Sequence, residues 1–297
     1  MRKTRSSLYV LAAAVAAVGG LVACSPLTAI NALSPAGSTD TSTDIAYGIG
    51  ARLKLDVYRP ARPAAGAPVV VFFYGGNWNS GQRKDYAFVG RALASRGIVA
   101  VIPDYRLYPQ VRYPDFLDDS AQAVAWVAQH IGAYGGDANS LFVMGHSAGA
   151  YNAAMVALDS RWLGKQASSP AILAGWIGLA GPYDFLPIEN AAAKPVFHFP
   201  NTPLESQPVN HLDGKKLPAL LIAANKDTLV NPVRNTGGLA TRLRERGVPV
   251  TEIYYDGVSH TTLVGSIAAP LRGLAPTLDA IDQFVHKNAS LSKVQAM

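Results

Sequence analysis

One cysteine in 297 residues, Cys24, excludes an intramolecular disulfide. The six histidines never fall at the close spacing of a zinc site, and neither a G-x-G-x-x-G fingerprint nor a P-loop occurs. Charge is scarce at 15%, while 49% of residues are hydrophobic, which excludes a disordered chain and predicts a compact interior. The formal charge of +6 includes Arg2, Lys3 and Arg5 at the extreme N-terminus, so the remainder is weakly basic. The densest basic stretch, Arg242, Arg244 and Arg246 around Glu245, carries no interleaved aromatics and reads as the solvated end of a helix. These features imply no metal, no cofactor, no nucleic acid and no obligate protein partner.

The N-terminus is the exception to this even composition. A basic start is followed by an uncharged, small and apolar stretch from Ser6 to Ala23, the layout of a secretory signal. Alanine and glycine dominate it, so it makes a weak membrane span. The run ends Leu21-Val22-Ala23-Cys24 and resembles a bacterial lipoprotein signal, in which cleavage before the cysteine frees its thiol for a lipid. That resemblance implies a signal peptide over 1–23, lipidation of Cys24 and membrane attachment through that lipid. It also implies an exported cell-envelope protein, periplasm-facing or on the outer membrane, with Ser25 compatible with outer-membrane sorting. The competing readings are an ordinary signal with an incidental cysteine and an uncleaved anchor. Residues 24–45, rich in Ser, Thr, Pro, Gly and Asp, read as a flexible tether.

From there to about residue 290 the pattern is regular. "LKLDVY" alternates like a half-buried strand, and "PVVVFFY" is continuous like one buried on both faces. Strands are also expected in "IVAVIPDY", "SLFVMG", "AILAGWIGLAG", "LPALLIAAN" and "VPVTEIYYD". Helices are expected at about Asp85–Ser95, Pro114–Gln129, Ala148–Leu158, Val233–Glu245 and Leu278–Lys287. Such alternation predicts a single α/β domain, 46–290, with a mostly parallel sheet and helices on both faces. Five prolines between 185 and 216 break the rhythm and mark an irregular insertion, a candidate cap.

"LFVM" runs into Gly145-His146-Ser147-Ala148-Gly149, a G-x-S-x-G turn between a strand and a small-residue helix. A sharp turn lifts the hydroxyl above the sheet, and the tight backbone calls for glycine on both sides. Ser147 is therefore the candidate nucleophile, which needs a histidine within reach to take its proton. His146 should project away from the hydroxyl, His130 and His286 sit on helix surfaces, and His198 and His211 belong to the insertion. His260 lies in the polar turn after the last strand.

On these segments the chain resembles the α/β-hydrolase superfamily, in which nucleophile, acid and base follow in that chain order. More narrowly it resembles a bacterial esterase branch that includes feruloyl-esterase-like, hormone-sensitive-lipase-like and kynurenine-formamidase-like proteins. The similar stretches are "VVVFFYGGNW", "AVIPDYRLYPQVRYPDFLDD" and "YGGDANSLFVMGHSAGA", with weaker echoes in "LPALLIAANKDTLV" and "YDGVSHTTL". The resemblance implies an α/β-hydrolase fold and a triad of Ser147, Asp227 and His260, with Asp184 and Asp256 as rival acids. Asp104-Tyr105-Arg106 would brace a loop near the site, with Arg106 paired to Asp115, Asp118 or Asp119.

The loop "FYGGNWNSG" aligns with a His-Gly-Gly loop whose amides complete an oxyanion hole. Carried over by position, the donors are the amides of Gly76, Asn77 and Ala148. Trp78, Tyr74 and His146 are the candidate substrate-pocket residues. Tyr74 departs from the usual histidine, which in the family braces the loop by hydrogen bonding; the tyrosine hydroxyl would either do the same or the residue would face the core. The implied activity is serine carboxylesterase chemistry on a small-molecule ester through an acyl-enzyme on Ser147. The alternatives are an arylformamidase-type amidase with the same triad and a catalytically inactive binding lipoprotein.

Overall fold

A computed structural model of the chain describes residues 26–37, 39–62, 66–212, 214 and 216–295. The expected signal peptide, 1–23, and the candidate lipid site Cys24 lie outside the described residues.

Eight strands form one sheet: β1 (Thr39–Ala46), β2 (Lys54–Pro60), β3 (Ala67–Phe73), β4 (Val99–Pro103), β5 (Gly136–His146), β6 (Leu173–Leu179), β7 (Ala219–Ala224) and β8 (Val250–Tyr255). Their order is β1-β2-β4-β3-β5-β6-β7-β8. The β1–β2 and β2–β4 pairs are antiparallel and every later pair is parallel. Every residue of β3, β4 and β7 is buried. Successive side chains point to opposite faces, so unbroken burial means that both faces are covered. The covering helices are α1 (Pro26–Leu33), α2 (Ala87–Ala94), α3 (Asp115–His130), α4 (Ala148–Leu158), α5 (Ser160–Gly164), α6 (Gly238–Glu245), α7 (His260–Gly265) and α8 (Thr277–Gln295). Helices α3 and α4 pack together on the centre of the sheet, as do α2 and α8. This is the α/β-hydrolase fold.

The fold begins earlier than residue 46. The stretch expected to be a tether contains α1 and the edge strand β1 instead. Helix α1 is docked by polar contacts: Asn31 Nδ2 donates to the Lys84 and Asp85 carbonyls, and Asn31 Oδ1 accepts from the Phe88 amide. Arg91 Nη1 donates to the carbonyls of Asn31 and Ser34. Strand β1 holds its register on β2 through backbone pairing (Thr41 opposite Tyr58, Ile45 opposite Leu55), and it buries none of its eight side chains fully. An edge strand of this kind leaves no apolar alternation to read.

Helix boundaries also differ at two places. A 3-10 turn, Arg83–Tyr86, precedes α2, and a π turn, Val233–Gly237, precedes α6. Among its described residues, the irregular insertion between β6 and β7 consists of loop, turn and the short 3-10 segments Leu204–Ser206 and Pro208–Asn210. It is nevertheless anchored, because Val196 and Phe197 are fully buried. Phe197 packs edge-on against Trp78 with centroids 4.7 Å apart, and lies against Phe185 and Tyr151 as well.

Candidate active site

The chemistry gathers at the carboxyl edge of the parallel strands, where open α/β sheets bind ligands. Strands β3 and β5 are neighbours, with Phe73 paired to Gly145, so the loop after β3 and the turn after β5 emerge side by side. The candidate acid, Asp227, and the candidate base, His260, follow β7 and β8 on the same edge.

Ser147 sits at φ 54°, ψ −123°, the strained turn from β5 into α4. The flanking glycines are required by close backbone approach. A Cβ on Gly145 would lie 2.1 Å from the Gly149 carbonyl oxygen, and one on Gly149 would lie 2.0 Å from the Phe73 oxygen. Helix α4 then starts at Ala148, and the first amides of a helix have no carbonyl one turn back to accept them.

His260 opens α7, whose start is fixed by a capping box between Ser259 and Thr262. Its Nε2 lies 2.9 Å from Ser147 Oγ, and its Nδ1 lies 2.7 Å from Asp227 Oδ2. Asp227 Oδ1 accepts the amides of Leu229 at 2.8 Å and Val230 at 3.0 Å. Burial alone would raise the Asp227 carboxyl, but the bonds from His260 and the Val230 and Leu229 amides outweigh it and hold it below its ordinary value. A carboxylate on Nδ1 keeps the proton there, which leaves the Nε2 lone pair facing the serine. The structure thus brings Ser147, His260 and Asp227 together. The rival acids are elsewhere: Asp184 pairs with Arg234 at 2.9 Å, and Asp256 accepts from Asn225 at 2.8 Å.

The loop after β3 carries backbone strain of a useful kind. Gly76, Asn77 and Trp78 have φ of 125°, 50° and 56°. The two non-glycine residues cost on the order of 1 kcal/mol each, asparagine less than tryptophan. Among the described residues the amides of Gly76 and Asn77 have no hydrogen-bond partner, and both residues line the cleft beside Ser147. Trp78 is firmly held: its Nε1 donates to Asn152 Oδ1 at 2.9 Å, its carbonyl accepts from Tyr108, and its ring stacks on Phe116 and meets Phe197 edge-on.

Two clefts flank Ser147. One is lined by Trp78, Ala148, Phe185, Ile188 and Ala193, with Asp184 and Arg234 farther along. The other is lined by Gly76, His146, Thr228, His260 and Thr261. Asn77, Ser147, Glu189, Asn190, Leu229 and Val230 border both.

Of the three candidate pocket residues, Trp78 lines one cleft and His146 borders the other. Tyr74 is a correction: it is fully buried and lines neither cleft. Its ring is stacked between Tyr86 and Tyr105, and its hydroxyl donates to Asp104 Oδ1 while accepting from Arg52 Nη2. His146 borders the second cleft but is only 5% exposed. Its Nε2–H donates to the His260 backbone carbonyl at 2.9 Å, so it holds the turn that carries the base. Burial, then the neighbouring His260, pushes the His146 imidazole down to about 3.

The remaining histidines are uninvolved. His198 donates to the Tyr113 carbonyl beside a different cavity, His211 lies against Asp159 and Glu205, and His130 and His286 are on the surface. Arg106 pairs with Asp119, by Nε to Oδ2 at 2.9 Å and Nη2 to Oδ1 at 2.7 Å. Sequence reasoning missed Arg83, a nearly buried guanidinium bonded to Asp44, Asp56 and Asp104 directly behind the Tyr74 loop. Its partners are scattered over sixty positions of chain, and no local pattern links them.

The BD-FAE family matches residues 55–243. The chain belongs to the BD-FAE family. Similar curated proteins include the probable isoprenylcysteine alpha-carbonyl methylesterase ICME of Oryza sativa subsp. japonica, 32% identical over 77% of this chain and 59% of the relative. The probable carboxylic ester hydrolase LipM of Mycobacterium tuberculosis is 29% identical over 82% of this chain and 60% of its own length. The chain therefore spans about three fifths of these two proteins. Esterase B from Lactobacillus rhamnosis superposes with a TM-score of 0.76 at 19% identity, covering 96% of this chain and 98% of that one, a likeness of fold.

Proposed function

We propose that this protein is a carboxylic ester hydrolase working through an acyl-enzyme on Ser147. The observation that carries the reading is the unbroken line from Ser147 Oγ to His260 Nε2 at 2.9 Å and from His260 Nδ1 to Asp227 at 2.7 Å, beside unpartnered amides. His260 takes the serine proton as Oγ attacks the ester carbonyl. The carbonyl oxygen becomes an oxyanion that accepts from the amides of Gly76, Asn77 and Ala148, each worth about 2.7–4 kcal/mol in the transition state. The imidazolium, stabilised by Asp227, then protonates the departing alcohol. A water deprotonated by His260 attacks the acyl-enzyme, and the serine leaves with the proton.

The leaving alcohol must lie where His260 can protonate it, so the cleft that His260 lines is the alcohol side. The cleft walled by Trp78, Phe185, Ile188 and Ala193 then receives the acyl group. Relatives named as methylesterase and carboxylic ester hydrolase support the ester reading. The test is hydrolysis of p-nitrophenyl acetate and butyrate, with N-formylkynurenine as the amide comparison. Ser147→Ala should lose roughly 10⁴-fold or more in kcat. Retention of activity in that variant, or cleavage of the amide alone, contradicts the proposal.

We also infer that the enzyme is held at the cell envelope by lipid on Cys24. The support is the sequence itself, the basic start and apolar run that end at this cysteine. Each buried lipid CH₂ contributes roughly 0.8 kcal/mol, so more than one acyl chain gives stable attachment. Mass analysis of the mature N-terminus should show an acylated Cys24, absent in Cys24→Ala. A soluble, unmodified wild-type protein contradicts it.

A further inference from the structure

We propose that Asn190, in the irregular insertion, is a positioning residue that holds the oxyanion amide of Asn77 in place. This rests on the proposed ester hydrolysis at Ser147. Asn190 Nδ2 donates to Asn77 Oδ1 at 2.8 Å across the top of the site, and both residues border both clefts. The orientation of the Asn190 amide is fixed by its other end, because Oδ1 accepts the Ala192 amide at 2.9 Å. The NH₂ group therefore faces Asn77, and the Asn77 oxygen is the atom that accepts.

Asn77 needs such a restraint. It stands at φ 50°, a conformation an L residue does not favour, and among the described residues the bond from Asn190 is its only hydrogen bond. Trp78, the next residue, is at φ 56° and is fastened by Asn152 and Tyr108. On the other side, Gly76 accepts the amides of Asn79 and Ser80, which closes the loop below the hole. Without the bridge, the Asn77 peptide is the one unit of the strained loop left untied, and its N–H is the unit that must aim at the oxyanion. Asn190 is itself rooted, since its carbonyl accepts the amides of Ala193 and Lys194 and the following turn buries Val196 and Phe197. The insertion thus reaches the reaction through one side chain, and the geometry of the oxyanion hole depends on where the insertion sits.

Asn190→Ser tests this with the turn preserved, because the shorter hydroxyl still accepts the Ala192 amide but does not reach Asn77. Steady-state kinetics on acetyl, butyryl and hexanoyl p-nitrophenyl esters should show kcat lower by about fivefold, with KM unchanged and the same factor for every chain length. Asn77→Gly removes the acceptor while tolerating the positive φ, and the double variant Asn77→Gly/Asn190→Ser should be no slower than Asn77→Gly alone. Unchanged kcat in Asn190→Ser, a chain-length-dependent rise in KM at constant kcat, or multiplicative losses in the double variant would overturn the role. Ser147→Ala is run in parallel. If it stays active, the acyl-enzyme on Ser147 fails; if it is dead while Asn190→Ser is at the wild-type rate, only the bridge fails.

Discussion

The Tyr74 hydroxyl donates to Asp104 Oδ1 at 2.9 Å, and the same oxygen accepts the Arg83 amide at 2.7 Å. One carboxylate therefore ties the start of the loop after β3 to the turn that ends it. Arg52 completes the clasp, donating to the Tyr74 hydroxyl, to the Gly81 carbonyl and to the Tyr105 carbonyl. Tyr74 thus braces the loop by hydrogen bonding from inside the core.

Tyr74→Phe keeps the stacked ring and removes the clasp. The variant should lose about 1–3 kcal/mol, because Arg52 and Asp104 each lose a buried partner. It should also lose kcat by several-fold at constant KM, through a looser Gly76–Asn77 loop. Urea denaturation and steady-state kinetics on one preparation check both, and a stability loss without a kcat loss would confine Tyr74 to packing.

Asp227→Asn should lower kcat by about 10³–10⁴-fold with little change in fold. The Asn oxygen can still accept the Leu229 and Val230 amides, but its NH₂ then faces His260 Nδ1. That forces the proton onto Nε2 and takes the lone pair away from Ser147. A loss below tenfold would point to another acid.

His146 links site geometry to acid stability. Its imidazole titrates near 3 in the fold, against about 6.5 in the unfolded chain. Falling pH therefore protonates the unfolded chain first, so stability present above about pH 6.5 is lost between 6.5 and 3. Asp227, held below its ordinary value, adds a further loss as pH falls through its folded pKa. Tm measured from pH 7 to pH 4 should decline, and His146→Gln, which keeps a donor toward the His260 carbonyl, should flatten the decline. An identical slope in the variant counts against the assignment.

Trp78→Phe retains an apolar wall but deprives Asn152 Oδ1 of its donor. The expected cost is about 1–3 kcal/mol, with a rise in KM that grows with acyl length if this cleft holds the acyl group. Thermal unfolding and the p-nitrophenyl ester series measure the two effects separately.

What the sequence could and could not reveal follows from locality. Ser147 was legible from the G-x-S-x-G turn after a visible apolar strand, while Asp227 and His260 were named through the family resemblance. The parallel sheet was legible from its visible apolar runs. Strand β1 was not, since its partly solvated side chains, "TDTSTDIA", carry no alternation and its place is set by backbone pairing and by Asp44 with Arg83. Helix α1 was hidden in the same way, because distant polar contacts from Asn31 and Arg91 dock it beside the partly buried Leu27 and Ile30. The pocket placing of Tyr74 failed because burial just past the end of β3 depends on which neighbours stack against it, here Tyr86 and Tyr105. The Asn77–Asn190 bridge joins positions 113 residues apart and leaves no trace in either local pattern.

The central claim is that Ser147 is the nucleophile, and active-site labelling tests it most directly. Wild-type protein treated with a fluorophosphonate should gain one adduct, located by mass spectrometry on the peptide that contains Ser147, with parallel loss of esterase activity. Ser147→Ala should gain none. Equal labelling of both proteins, or an adduct on another residue, would contradict the account.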